Sequence, residues 1–230
     1  VCHRRARARP TIHPTITGSK EYLVDAALAR AWVQAIAAAV DEHTEQLTQL
    51  DSAIGDADHG ANMRRGFTAA LAALADATPA TPGDVLVRTG TTLISSVGGA
   101  AGPLYGSAFR AIGQALAMPV ADAEQVLAAL TDGLAAVQKL GAAAPGDKTI
   151  VDAYTPAVAA FEQELWDGGD LASAATRAAV AAEEGALATK SMQARKGRAS
   201  YLGPRSVGHQ DPGATSTALV FRALAGVTAR

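Results

Sequence analysis

Cysteine is almost absent from this sequence. Cys2 is the only one among 230 residues, which excludes an internal disulfide framework and any cysteine-built zinc site. Aromatic residues are scarce at 4%, and a chain poor in aromatic and β-branched side chains is a poor source of strands. No apolar stretch approaches the length of about 18 residues that suggests a membrane span. Charge of neither sign dominates: the net charge is −2, so the molecule as a whole exerts no pull on nucleic acid or anionic lipid. The segment before Ser19 is arginine-rich but lacks the apolar run of a secretory signal. A reduced, cytoplasmic protein without membrane attachment is the expectation.

What is present is helix. Residues 1–20 read as a disordered N-terminal extension with almost nothing apolar to bury, and residues 21–230 as one domain. Alanine dominates this domain and favours helices. Leu28, Trp32 and Ile36 make an apolar stripe at four-residue spacing, continued less regularly by Leu47, Leu50 and Ile54. A helix is expected after Gly60 with Met63, Phe67 and Leu71 inward, and another from Pro82-Gly83 to Gly98-Gly99. One more is expected at Pro103, which suits a helix start. Further amphipathic runs cover about Ala121–Leu140, Val151–Leu165 and Leu171–Ala188, with a last one from near Gly213. Only about a third of a typical soluble chain is helical. In so helical a chain, the glycine-rich joints are where function is sought.

The first joint, DSAIGDADHG, places Asp51, Asp56 and Asp58 within eight positions. Three carboxylates so close repel one another unless a cation neutralises them. Hard oxygen ligands favour magnesium or calcium, and magnesium prefers a few carboxylates together with phosphate oxygens. An EF-hand is excluded by the spacing. A solvated acidic turn is the plain alternative, disfavoured by the tight packing that Ile54, Gly55 and Gly60 imply.

The second joint, GGAAGP, leads into a helix whose backbone N–H groups suit an anion, although such starts also serve close packing. The third, GAAAPGDKT, departs by one inserted residue from a Walker A loop. Asp147 breaks the spacing and the preceding segment is helical, so a P-loop is rejected; Asp147 or Thr149 should cap the next helix. The fourth joint carries Lys190, Arg195, Lys196, Arg198, Arg205 and His209, and then Asp211-Pro212-Gly213. A nucleic-acid patch fits this poorly in a mildly acidic protein. A lid holding phosphate through arginine fits better, with a solvated basic loop as the alternative.

Together the blocks LDSAIGDADHGANMRRGF, SSVGGAAGPLYG, APGDKT and MQARKGRASYLGPRSVGHQDPGATS resemble the L subunit of bacterial dihydroxyacetone kinases, over about residues 21–230. Related fatty-acid kinase nucleotide domains share the acidic turn but lack the HQDPGATS segment. The resemblance implies an all-α barrel of about eight antiparallel helices with the nucleotide, ADP or ATP, in the loops at one end. It also implies that Asp51, Asp56 and Asp58 hold two magnesium ions that bridge the phosphates. His59, Gly60, Ala61, Asn62, Ala100, Ala101, Gly141, Ile150, Arg198, Asp211, Pro212 and Gly213 would then lie at the nucleotide, with Arg198 offsetting charge on the transferring phosphoryl. Two positions depart from the family pattern: Ala101 stands where a serine is usual, and Ile150 where a methionine is usual. The sugar would be held on a separate K subunit, and a phosphohistidine protein or exchanged ATP would renew the phosphoryl group. A homodimer is left open. Two alternatives stand beside this expectation: a nucleotide-sensing regulatory module, or a kinase subunit for another small ketose such as a tetrulose.

Overall fold

The computed structural model describes residues 23–229; the expected N-terminal extension, residues 1–20, lies outside them. Among the described residues there are nine α-helices: α1 (Ala26–Glu42), α2 (Thr44–Ile54), α3 (His59–Ala75), α4 (Pro82–Ser96), α5 (Ala101–Ala115), α6 (Ala123–Gly141), α7 (Ile150–Trp166), α8 (Leu171–Ala188) and α9 (Pro212–Thr228). From α3 onward each helix packs on the next, and α1 closes the ring by packing on α9, α3 and α4. The result is the expected antiparallel barrel, eight helices round, with short α2 added against α3 and α9.

Local chemistry sets most boundaries. Thr81 with Asp84, Asp122 with Gln125, Thr149 with Asp152 and Asp170 with Ser173 form reciprocal capping boxes at the starts of α4, α6, α7 and α8. Each satisfies N–H groups that a helix start otherwise leaves unpaired. Thr149, rather than Asp147, is therefore the cap after the third joint. The first apolar stripe divides at His43 into α1 and α2, and Leu50 is only half-buried. Helix α3 begins at His59, before Gly60, and α5 at Ala101, two residues before Pro103. Leu71 packs on the rim of the core rather than within it. A two-residue antiparallel pair, Val24–Asp25 with Val120–Ala121, was not expected from the sequence.

The core is built from small and branched side chains around few rings. Phe109 lies 5.8 Å from Trp32 and 6.0 Å from Phe67 between ring centroids, and Tyr154 lies edge-on to Phe221 at 5.2 Å. The Trp32 indole N–H donates to the Val220 carbonyl at 3.0 Å, joining α1 to α9. Small residues permit close approach elsewhere. The buried face of α8 is Ala174, Ala175, Ala178, Ala179, Ala182 and Ala186, after Leu171. Helices α4 and α5 meet backbone to backbone: a Cβ on Gly90 would stand 2.5 Å from the Gly106 carbonyl oxygen, and one on Gly113 2.7 Å from that of Gly83. Glycine thus serves the helix seams as well as the joints.

Candidate functional site

The up-and-down order brings the C-terminal ends of α2, α4, α6 and α8 together with the N-terminal ends of α3, α5, α7 and α9. The four joints singled out in the sequence meet there around an open cleft of about 270 Å³.

Asp51 sits in the last turn of α2 and is buried, whereas Asp56 and Asp58 on the following turn reach solvent. One carboxylate oxygen from each lies within 4.8 Å of the others. Asp51 is oriented by its neighbours: Oδ2 accepts the backbone N–H of Asp58 at 2.8 Å and of His59 at 3.1 Å. The turn leaves no room beside it, since a Cβ on Gly55 would fall 2.1 Å from Asp51 Oδ1. Ala57 adopts φ +63° to bring Asp58 round, a conformation uncommon for a residue with a Cβ.

His59 opens α3. Its Nε2 lies 2.9 Å from Ser216 Oγ, which in turn lies 2.7 Å from the Tyr105 hydroxyl. That hydroxyl donates to the Gly213 carbonyl at 3.0 Å. This chain of contacts ties the acidic turn to α5 and to the start of α9. Burial holds the imidazole below its usual range, against the opposing pull of Asp51 and Asp58.

Two of the converging helix starts are capped by side chains, α7 by Thr149 and α9 by Asp211, whose Oδ2 accepts the Ala214 N–H at 2.7 Å. The other two, α3 and α5, have no side-chain cap. Apart from the His59 N–H, which Asp51 accepts, their first N–H groups and the positive ends of their dipoles are available to an anion. Asn62 and the Gly98-Gly99-Ala100 turn stand beside them: Arg65 donates to Asn62 Oδ1 at 2.8 Å and to the Ser96 carbonyl at 2.9 Å, bracing the two together. Burial pushes the Asp211 carboxyl up to about 7, with the Ala214 N–H and the Lys148 charge opposing.

The far wall of the cleft is apolar, made by Leu104, Val137, Ile150 and Val151. Over the mouth runs the fourth joint, two short 3-10 turns (Thr189–Ser191 and Arg198–Ser206) linked by an irregular stretch. Ala194, Ala199 and Leu202 pack on Ile54 in a small cluster of their own. At the tip, the Arg198 guanidinium meets Asp56 Oδ2 at 2.9 Å.

All the site residues expected from the sequence line this cleft except Gly60 and Ala61. Gly60 instead faces α2, where a Cβ would stand 2.2 Å from the Thr44 carbonyl oxygen. Leu104, Val137 and Lys148 line the cleft as well. In the sequence the first two are indistinguishable from ordinary core positions, and Lys148 belongs to a motif that does not fit a P-loop.

Residues 53–226 match the DAK2 domain family. The chain belongs to that family. The ADP-binding subunit DhaL of PEP-dependent dihydroxyacetone kinase 1 from Listeria innocua is 42% identical over 196 residues, 85% of this chain and 93% of its own length. The corresponding DhaL subunit from Escherichia coli is 46% identical over 183 residues, 79% of this chain and 87% of its own length. In three dimensions, the crystal structure of the dihydroxyacetone kinase of C. freundii aligns with a TM-score of 0.66 at 25% identity, over 97% of this chain and 38% of that one. No described helix is long and apolar enough to cross a membrane.

Proposed function

We propose that this chain is the nucleotide-carrying subunit of a dihydroxyacetone kinase, binding ADP or ATP and passing the γ-phosphoryl to dihydroxyacetone held on a separate K subunit. The observation that carries this reading is the gathering of three carboxylates within 4.8 Å beside two uncapped helix starts, at the mouth of an apolar-walled cleft. Such a mouth suits a phosphate chain and its cations, and such a wall suits a planar base.

The donor set fits magnesium: three hard oxygen ligands, one preoriented by two backbone N–H groups, and open space where phosphate oxygens complete the shell. Asp51, Asp56 and Asp58 hold two such ions in this reading. When bound, magnesium offsets negative charge on the phosphates and on the transferring phosphoryl. His59, Gly60, Ala61 and Asn62 present the start of α3 to the nucleotide, and Ala100 and Ala101 present that of α5. Ala101 offers only its N–H, where the family pattern adds a hydroxyl. Gly141 and Ile150 border the base, and Asp211, Pro212 and Gly213 form the floor.

Arg198 supplies the remaining positive charge. Its guanidinium already stands at the acidic turn, close enough to meet charge that grows on the transferred group. The chemistry requires positioning and neutralisation rather than a nucleophile from this chain. The acceptor sugar belongs to the K subunit, and a phosphohistidine protein or exchanged ATP renews the phosphoryl group. Titration calorimetry with ADP, with magnesium and then with EDTA, tests the site. Magnesium-dependent binding is expected; equal affinity in both conditions refutes the metal bridge.

A further inference from the structure

Lys148, from APGDKT, lines the cleft but has no part in the proposed phosphate site. Its side chain is buried to 1% exposure, and among the described residues it forms no ion pair. An unpaired buried ammonium is costly, and an apolar side chain of the same length would fill the space more cheaply. The backbone is also held at φ +63° to aim it.

Its target is a cage of backbone carbonyls. Nζ donates to Thr189 at 2.8 Å, to Ser206 at 2.9 Å, to Met192 at 3.2 Å and to His209. An ammonium has three N–H groups, so these acceptors saturate it. All four carbonyls belong to the loop that leaves α8 and returns to α9. Thr189 and Met192 stand on its outgoing foot, Ser206 and His209 on its returning foot. A single side chain, rooted on the wall of the cleft, therefore gathers both feet of the loop that carries Arg198.

The neighbouring contacts act on the same neck. Gly208 N–H donates to the Lys190 carbonyl at 2.7 Å, Ala194 N–H to Ser206 Oγ at 2.9 Å, and Arg195 N–H to the Asp147 carbonyl at 3.0 Å. The Asp211 N–H donates to Thr189 Oγ1 at 2.9 Å, which joins the neck to the start of α9. Beyond the neck the loop is held by the small apolar cluster around Ile54 and by the exposed Arg198–Asp56 pair. Segments with so few apolar contacts open locally unless polar contacts pin them.

We propose that Lys148 is a positioning residue, whose ammonium closes the neck of loop 189–209 through four backbone carbonyls and so sets Arg198 over the acidic turn. Its effect on transfer rests on the proposed role of that turn; its hold on the loop does not. Lys148→Met keeps the length of the side chain and removes its charge and donors. The loop carries trypsin sites at Arg195, Lys196, Arg198 and Arg205, so cleavage there reports its opening directly.

Without nucleotide, Lys148→Met should be cut in this loop on the order of tenfold to a hundredfold faster than the unaltered protein, while the helices stay resistant. With the K subunit present, turnover should fall by a larger factor than affinity for Mg-ADP, because the metal site is intact and only Arg198 is misplaced. Unchanged loop cleavage overturns the proposal, as does an equal loss of turnover and affinity. If Lys148→Met is cut throughout the chain, Lys148→Ala with added propylammonium decides: protection restored by the amine supports the cage, and none restored refutes it. If the loop opens as expected but the unaltered protein shows no magnesium-dependent nucleotide binding, the neck stands and the phosphate-site reading falls.

Discussion

Replacing Asp58 by Asn should stabilise the nucleotide-free protein and abolish its stabilisation by Mg-ADP. The oxygens of Asp51, Asp56 and Asp58 lie within 4.8 Å of one another. At that separation two unit charges repel by about 1 kcal/mol in water and about 3.5 kcal/mol at an effective dielectric constant of 20. Asp56 and Asp58 reach solvent, so the lower value applies, and Asp58→Asn removes two such repulsions. The Asp58 carboxylate has no hydrogen bond or ion pair among the described residues to lose. A gain of about 1–2 kcal/mol, which is a rise of a few degrees in melting temperature for a chain of this size, is expected. Asp56→Asn should gain less, because it forfeits the Arg198 pair, an exposed contact worth about 0–1 kcal/mol. Asp51→Asn should gain least, because Asp51 also accepts two backbone N–H groups. Mg-ADP at a hundredfold excess over its dissociation constant adds about 2.7 kcal/mol to a protein that binds it, and each variant should lose most of that. The assay is a melting series of the three variants with and without Mg-ADP, alongside transfer activity with a K subunit. A variant that keeps the full nucleotide-dependent shift and full activity is not a ligand. If all three keep both, the metal site lies elsewhere.

Arg198→Ala should reduce turnover on the order of a hundredfold and ADP affinity by much less; equal losses would mark Arg198 as a uniform binding contact. Gly90→Ala should drive a methyl group into the Gly106 carbonyl, costing about 1–3 kcal/mol and lowering the melting temperature while leaving the Mg-ADP shift intact; an unchanged melting temperature would show that the α4–α5 seam yields freely. Asp211 gives stability a pH dependence of definite sign. Its carboxyl titrates near 3.8 in the unfolded chain and about 7 in the fold, so the folded protein holds a proton that the unfolded chain releases. That stability is fully present below about pH 4 and lost as pH rises towards 7, by a few kcal/mol at most. Asp211→Asn should flatten this slope in denaturant titrations at pH 5 and pH 8, and an unaltered slope would place its origin elsewhere.

Sequence alone determined the helical architecture and the joints that line the cleft, because both depend on residues close together in the chain. Caps such as Thr149 act over three positions. The apolar stripes repeat every turn, and the turn bearing Asp51, Asp56 and Asp58 closes within eight residues. Tertiary structure alone decided how the side chains are spent. Ser216 lies 157 positions from His59, and the carbonyls around Lys148 lie 41 to 61 positions away. No spacing rule reaches that far, since which groups meet depends on how the barrel closes and on where each backbone aims its side chain. For the same reason the sequence did not show that Gly60 packs against α2, where a Cβ would stand 2.2 Å from the Thr44 carbonyl oxygen. Lys148, part of a motif that fails as a phosphate loop, gathers the feet of the loop above the cleft, because its ammonium enters a ring of carbonyls that only the closed barrel assembles.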